Sequence, residues 1–278
     1  LKKLKNNMNI IGLGKTACDI AEQLKRYKQF KVYMIDHDID GENSFSFPNH
    51  KTPEDYENKF VNIPFKIEEE LTLILSTDEL ISLSCLRILE QYKDLELKVM
   101  YIRPDIKFLN PMLTAVNKVV YNVLQELTRS GKIKSMFLVD TKKVSDIIGK
   151  VALKDRQVKI YDAIAYAYYM QNMFDNIQPI LDNVVDSPPT YCIKTLGIMD
   201  LESGVENLFY PLDELREKRY NYYINKEELD SDLELSEHIE EQIDGKFQEN
   251  LKISYAIYES SLEQSSVFIE AKTPHIQG

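Results

Sequence analysis

The sequence predicts an α/β protein built on a doubly wound parallel sheet, with a long buried central helix and a second, smaller α+β domain. Three observations carry that expectation. Short apolar runs alternate with amphipathic stretches through the first 150 residues, the pattern of strands buried on both faces with helices packed over them. Residues 160–174 are apolar around most of a helical circumference, as in a helix held between layers. From Tyr191 onward the texture becomes strand-like, punctuated by Gly204 and Pro211.

Taken in order, Asn9-Ile10-Ile11 runs into Gly12-Leu13-Gly14, and Ala17, Ile20, Ala21 and Leu24 then recur at helical spacing, so the order is strand, tight turn, helix. A second strand covers 30–35 and ends at Asp36. Residues 40–56, acidic and rich in Gly, Ser, Asn and Pro, read as a long surface loop of the kind that lies over a ligand. A third strand covers 71–75, followed by the loop 76–82 and a helix carrying Leu83, Leu86, Ile88 and Leu89. The strand at 97–102 is stopped by Pro104, a helix covers 116–130 up to Gly131, and a fifth strand covers 133–139 before Asp140. After the central helix, 175–189 reads as a connection. Strands follow at 192–198, 208–210 and 220–224, then a charged helix over 236–247. Residues 251–259 and 266–272 alternate apolar with polar and are expected to pair as a closing hairpin, half exposed on one face, across the turn at 259–263. The predicted division is a leader over 1–8, a nucleotide-binding α/β domain over 9–150, the central helix and connection over 151–189, and an α+β domain over 190–278.

Composition narrows the function. The hydrophobic and charged fractions, 44% and 28%, are ordinary for a globular protein, and no apolar run approaches the roughly eighteen residues of a membrane span, so no membrane partner is expected. A net charge of −11 repels polyanions, and no basic patch lies beyond the first five residues, so no nucleic acid is expected either. Cys18, Cys85 and Cys192 are odd in number, far apart and set among apolar neighbours, which suits reduced buried thiols and a cytoplasmic setting. His37, His50, His238 and His275 are scattered without a second ligand at metal spacing, so no metal site is expected. The residues before Met8 lack the apolar core of a signal peptide, and Met8 reads as a native start. Neither the G-x-S-x-G elbow nor the Walker spacing is present, and the acids of 227–241 read as a solvated face.

The chemistry gathers at the first loop. Gly12-Leu13-Gly14-Lys15-Thr16-Ala17 follows the G-x-G-x-x-A dinucleotide pattern in the Rossmann-like context of strand and helix that the pattern requires. Two glycines let the chain turn and let a phosphate approach backbone N–H groups, at a helix end that carries partial positive charge. Ala17 permits close helix-to-strand packing, and Asp36 stands where a carboxylate takes both hydroxyls of an adenosine ribose. NAD is the ligand of that reading; the bland alternative is a tight turn that binds nothing. Ser76, Thr77 and Ser82 could donate to a phosphate or cap a helix, while Asp78 and Glu79 would repel a phosphate unless a cation intervened.

The order of elements resembles that of the tubulin and FtsZ family. The stretches 251–259 and 266–273 resemble the family's last strand pair, and Thr195-Leu196-Gly197-Ile198-Met199 with Gly204 resembles the first strand of its second domain. Residues 99–104 resemble its strand that ends in proline, and Leu138-Val139-Asp140 the strand before its base-binding region. The resemblance implies a nucleotide-binding, self-assembling protein with weak or lost GTPase activity, taking GTP or GDP between Gly12, Gly14, Lys15, the Ser76-Thr77 loop and Tyr161, whose ring could stack on a base. It also implies that Asn183 and Asp186, after the central helix, face the nucleotide of a neighbouring copy as catalytic groups in a head-to-tail filament. The chain departs from the family in the loop after the third strand, which has no glycine. A third reading is a nucleotide-free derivative in which Asp78 and Glu79 replace bound phosphate by contacts within the protein.

Overall fold

A computed structural model describes residues 8–231 and 233–278. Strand β1 (Met8–Leu13) is buried along its whole length and pairs in parallel with β2 (Phe30–Asp36). Met8, expected in the leader, is therefore the first residue of the sheet, facing Phe30; residues 1–7 lie outside the described residues. β3 (Ser44–Ser46) adds to the outer edge of β2, while β4 (Glu70–Ser76), β5 (Glu96–Arg103) and β6 (Ser135–Asp140) continue in parallel from β1.

Side chains of these strands alternate between two cores, as the two-residue period of a strand requires. Ile11, Leu13, Leu73 and Leu75 face α3 (Cys85–Gln91) and α4 (Pro111–Arg129). Ile10, Ile74, Met100 and Val139 face α1 (Lys15–Leu24), α5 (Thr141–Ile148) and α6 (Arg156–Phe174). Both faces are covered, which is why these strands read as nearly continuous apolar runs. α6 is the expected central helix, with Ile164, Ala165, Tyr168 and Phe174 all buried and its surface shared among α1, α5 and the sheet.

The expected loop at 40–56 is more ordered than composition suggested. It contains β3 and runs into α2 (Pro53–Asn58), whose cap is Thr52: the Asp55 amide donates to its Oγ1 at 3.2 Å, and Pro53 opens the first turn. Phe47 and Tyr56 anchor the segment as buried side chains.

The sheet does not stop at β6. β7 (Leu181–Asp182) is a two-residue edge strand, and β8 (Ile193–Met199) pairs in parallel with β6 through Met136 and Phe137, carrying the sheet into the second half. There the strands are β9 (Glu206–Leu208), β10 (Glu217–Asn225), β11 (Lys252–Ser260) and β12 (Ser266–Thr273), and the order across the whole sheet is β3-β2-β1-β4-β5-β6-β8-β12-β10-β11-β7, with β9 on β8. Helices α7 (Lys226–Ser231) and α8 (Leu235–Asp244) follow β10, and Ile239 and Ile243 of α8 pack over Tyr220, Tyr222 and Ile224.

The closing hairpin does not form. β10 lies between β11 and β12, parallel to the first and antiparallel to the second. The residues between them span two strand spacings, about 10 Å, a reach that five residues manage easily. β12 is consequently interior and almost wholly buried rather than half exposed. Among the described residues no helix is long and apolar enough to cross a membrane.

Candidate functional site

The carboxyl ends of β4, β5 and β6 open into a cleft of about 600 Å³, with the first turns of α1 and α6 forming its walls. Thr16, Ser76, Asp78, Lys142, Arg156 and Tyr161 line it. This is the edge at which open α/β sheets bind ligands.

Gly12 and Gly14 set the geometry of the α1 wall for different reasons. A Cβ on Gly12 would lie 2.8 Å from the Ala17 carbonyl oxygen and 3.0 Å from Cys18 Cα, so this glycine lets α1 rest directly on β1. Ala17 is fully buried at the same contact, and the Cys18 thiol donates to the Gly12 carbonyl at 3.3 Å. Gly14 sits at φ +82°, a conformation that side chains rarely adopt, and its amide donates to Ile35 O at 2.9 Å. It is the N-cap of α1 and has no side chain with which to cap it.

The cap comes from the loop after β4. The Lys15 amide donates to Glu79 Oε2 at 3.2 Å, and the Thr16 hydroxyl donates to Asp78 Oδ2 at 2.7 Å. The Tyr161 hydroxyl in turn donates to Thr16 Oγ1 at 3.4 Å, so α1, α6 and the β4 loop are tied at one point. Half-burial, with Asp78 and Asp36 close by, pushes the Glu79 carboxyl above its ordinary range, against the pull of the Lys15 amide. The Gly14 and Lys15 amides are thus engaged within the protein.

The remaining predicted residues distribute as follows. Lys15 points outward, 68% exposed, and pairs with Asp19 at 3.1 Å one helical turn on. The Asp36 carboxylate accepts the His37 amide at 2.8 Å, at the end of β2. Ser76 lines the cleft, and its hydroxyl is buried without a hydrogen-bond partner among the described residues. The Thr77 hydroxyl turns into the core, donating to Asn117 Oδ1 at 2.7 Å within a cluster that includes Tyr101. Tyr161 lines the cleft, with most of its ring packed in the core beneath. Asn183 and Asp186 are not in the cleft; they are exposed, in the segment that leaves the far end of α6. Asn183 Oδ1 accepts the Tyr255 amide at 2.8 Å, and the Asp186 carbonyl accepts Lys252 Nζ at 3.3 Å.

Sequence reasoning missed Arg156 and Lys142, the cations of the cleft, and Phe108, which stands 87% exposed at its mouth. Arg156 donates to Ser145 Oγ at 2.6 and 2.9 Å. Its position five residues before Tyr161, at the start of the apolar helix, was the available signal.

A phosphate at the α1 N-terminus does not fit these residues. The space above Gly14 is filled by Glu79 and Ile81, whose atoms would lie 3.2 and 3.0 Å from a Cβ placed there. The carboxylates of Asp78 and Glu79 would also repel an anion. The pyrophosphate of NAD meets the same obstacle, so the dinucleotide reading loses its anchor.

Comparison with solved structures identifies the architecture. A GTPγS-form protofilament of TubZ from Bacillus thuringiensis serovar israelensis superposes with a TM-score of 0.68 at 12% identity, over 99% of this chain and 89% of that one. An empty FtsZ dimer from M. jannaschii gives 0.69 at 11% identity, over 97% and 88%. A GTPγS-bound protofilament of CetZ2 from Haloferax volcanii gives 0.63 at 11%, over 96% and 92%. The fold is that of the tubulin and FtsZ proteins. No protein-family model matches the chain, and no curated protein matches it by sequence.

Proposed function

We propose that the chain is a self-assembling subunit that stacks head to tail, the cleft face of one copy receiving the segment after α6 of the next. The observation that carries this is a pair of unlike apolar patches at the two ends of α6. Beside the cleft, Ile106, Phe108 and Met112 are 48%, 87% and 45% exposed. In the segment that leaves the C-terminus of α6, Ile180, Leu181 and Val185 are 62%, 46% and 64% exposed. With its N-terminal turn in the cleft wall, α6 carries the chain away by 19 residues, about 28 Å at 1.5 Å per residue.

Apolar side chains clustered in this way favour burial against a partner. Two different patches at opposite ends make a heterologous contact, which passes from copy to copy into a filament, or a ring where the rotation closes, instead of closing as a pair. That the similar TubZ and CetZ2 structures are protofilaments supports assembly of this chain into a polymer. Asn183 and Asp186 belong to the tail face in this arrangement and would approach the cleft of the next copy.

Sedimentation velocity over a concentration series, with negative-stain microscopy of the same samples, tests the proposal. Growing polymers are expected, abolished by either Phe108→Asp or Val185→Asp. A protein that stays monomeric at high concentration ends it.

A further inference from the structure

We infer that Asp78 and Glu79 are a built-in substitute for the phosphate of a bound nucleotide, so that the cleft face is held in its assembled shape without any ligand. This rests on the head-to-tail reading only for its consequence in assembly; the substitution itself is a matter of local geometry.

The N-terminus of α1 presents amides and partial positive charge, and Gly14 supplies no side chain to satisfy them. An anion is favoured there, and it can arrive with a ligand or from the chain. Here it is Glu79, whose carboxylate accepts the Lys15 amide at 3.2 Å and stands 3.2 Å from where a Cβ of Gly14 would lie. Asp78 takes the Thr16 hydroxyl at 2.7 Å, the second donor of the same turn. Two residues adjacent in one loop thus occupy two adjacent donors of one helix.

Electrostatics points the same way. Lys15, the cation nearest in sequence, is turned out to Asp19, and the cleft sets Arg156 and Lys142 against Asp78, Asp105 and Asp146, with Glu79 next to Asp78 in the same loop. A nucleoside di- or triphosphate entering beside Asp78 and Glu79 would add like charge to a wall already anionic. The mechanical result is that the β4 loop, α1 and, through the bond from Tyr161 to Thr16, α6 are joined with no ligand present. Those elements frame the cleft beside the exposed Phe108, so the head face does not wait for nucleotide to be ordered.

Isothermal titration of the full chain with GTP, GDP and pyrophosphate is the direct test. The wild-type protein should give no saturable heat with any of the three, and the double variant Asp78→Gly, Glu79→Gly should bind pyrophosphate saturably. Saturable binding of GTP to the wild type overturns the inference, as does a folded double variant that binds no better. If the double variant does not fold, the Lys15 amide resonance of the wild type decides. It should follow the ionisation of Glu79 and ignore millimolar pyrophosphate; a shift on adding pyrophosphate overturns the inference. Sedimentation in nucleotide-free buffer separates this from the assembly proposal. Polymer that forms only with GTP contradicts the inference and leaves assembly standing. Absence of polymer in every buffer, with titrations still blank, contradicts assembly and leaves the substitution standing.

Discussion

Replacing Glu270 by Gln should cost about 3 kcal/mol of folding stability at neutral pH, and the loss should fade in acid. Glu270 lies on β12 and is 2% exposed. Its two oxygens pair with Lys194 and Lys272, both at 2.9 Å. Lys272 also reaches Glu217 at 3.1 Å and Ser187 at 2.8 Å, so the cluster pins the segment after α6 to the sheet. Burial alone would raise the Glu270 carboxyl, but the attraction and hydrogen bonds of the two lysines more than offset it and hold it at about 2, against 4.5 when free. That difference, at about 1.4 kcal/mol per unit, corresponds to roughly 3 kcal/mol, in line with breaking a buried ion pair on one side. Because the folded value lies below the unfolded one, the stabilisation is complete above pH 4.5 and drains away as pH falls toward about 2. Urea unfolding of both proteins between pH 7 and pH 3 measures it. A neutral-pH difference under about 1 kcal/mol, or one that does not shrink in acid, refutes the reasoning.

Other perturbations follow from the same contacts. Gly12→Ala drives a methyl into the α1 backbone and should lower stability by about 2–3 kcal/mol in a urea melt, although Ala is the better residue for an ordinary strand. Gln125→Ala strips the partners from the buried Gln277 amide and carbonyl, bonded at 2.7 and 3.1 Å, and should cost about 2 kcal/mol by the same measurement. Cys18 and Cys85, whose thiols burial pushes up to about 12, should stay unreactive toward an aromatic disulfide at pH 8 and react at once in urea. Thr77→Val should cost about 1–2 kcal/mol by removing the donor to Asn117, and it should leave assembly intact.

What could be read from the sequence was mostly local. The strand, glycine turn and helix at the start are signalled by residues within one stretch, and α6 announces itself because a helix buried all round is apolar all round. The position of β10 between β11 and β12 is different. The alternation of 251–259 and 266–272 is satisfied by a hairpin or by two strands flanking a third, and only the partner contacts of Tyr220, Tyr222 and Ile224 choose between them. α2 is legible in the sequence, since Thr52-Pro53-Glu54-Asp55 carries a cap, a first-turn proline and acids in the favoured positions, but the loop composition around it masks that signal. At the site, the acidity of Asp78 and Glu79 was visible as an obstacle to phosphate. That they cap α1, more than sixty residues earlier, depends on β1 and β4 lying side by side. Asn183 and Asp186 kept their expected place after α6, and their separation from the cleft within one copy follows from the length of that helix.

Mixing the two assembly variants tests the directional stacking most directly. Phe108→Asp spoils the head face and spares the tail, and Val185→Asp does the reverse, so each protein alone should sediment as a monomer. Combined in equal amounts they should form a discrete dimer, one sound head on one sound tail, with no larger species. A mixture that stays monomeric, or one that regains full polymer, would contradict the account.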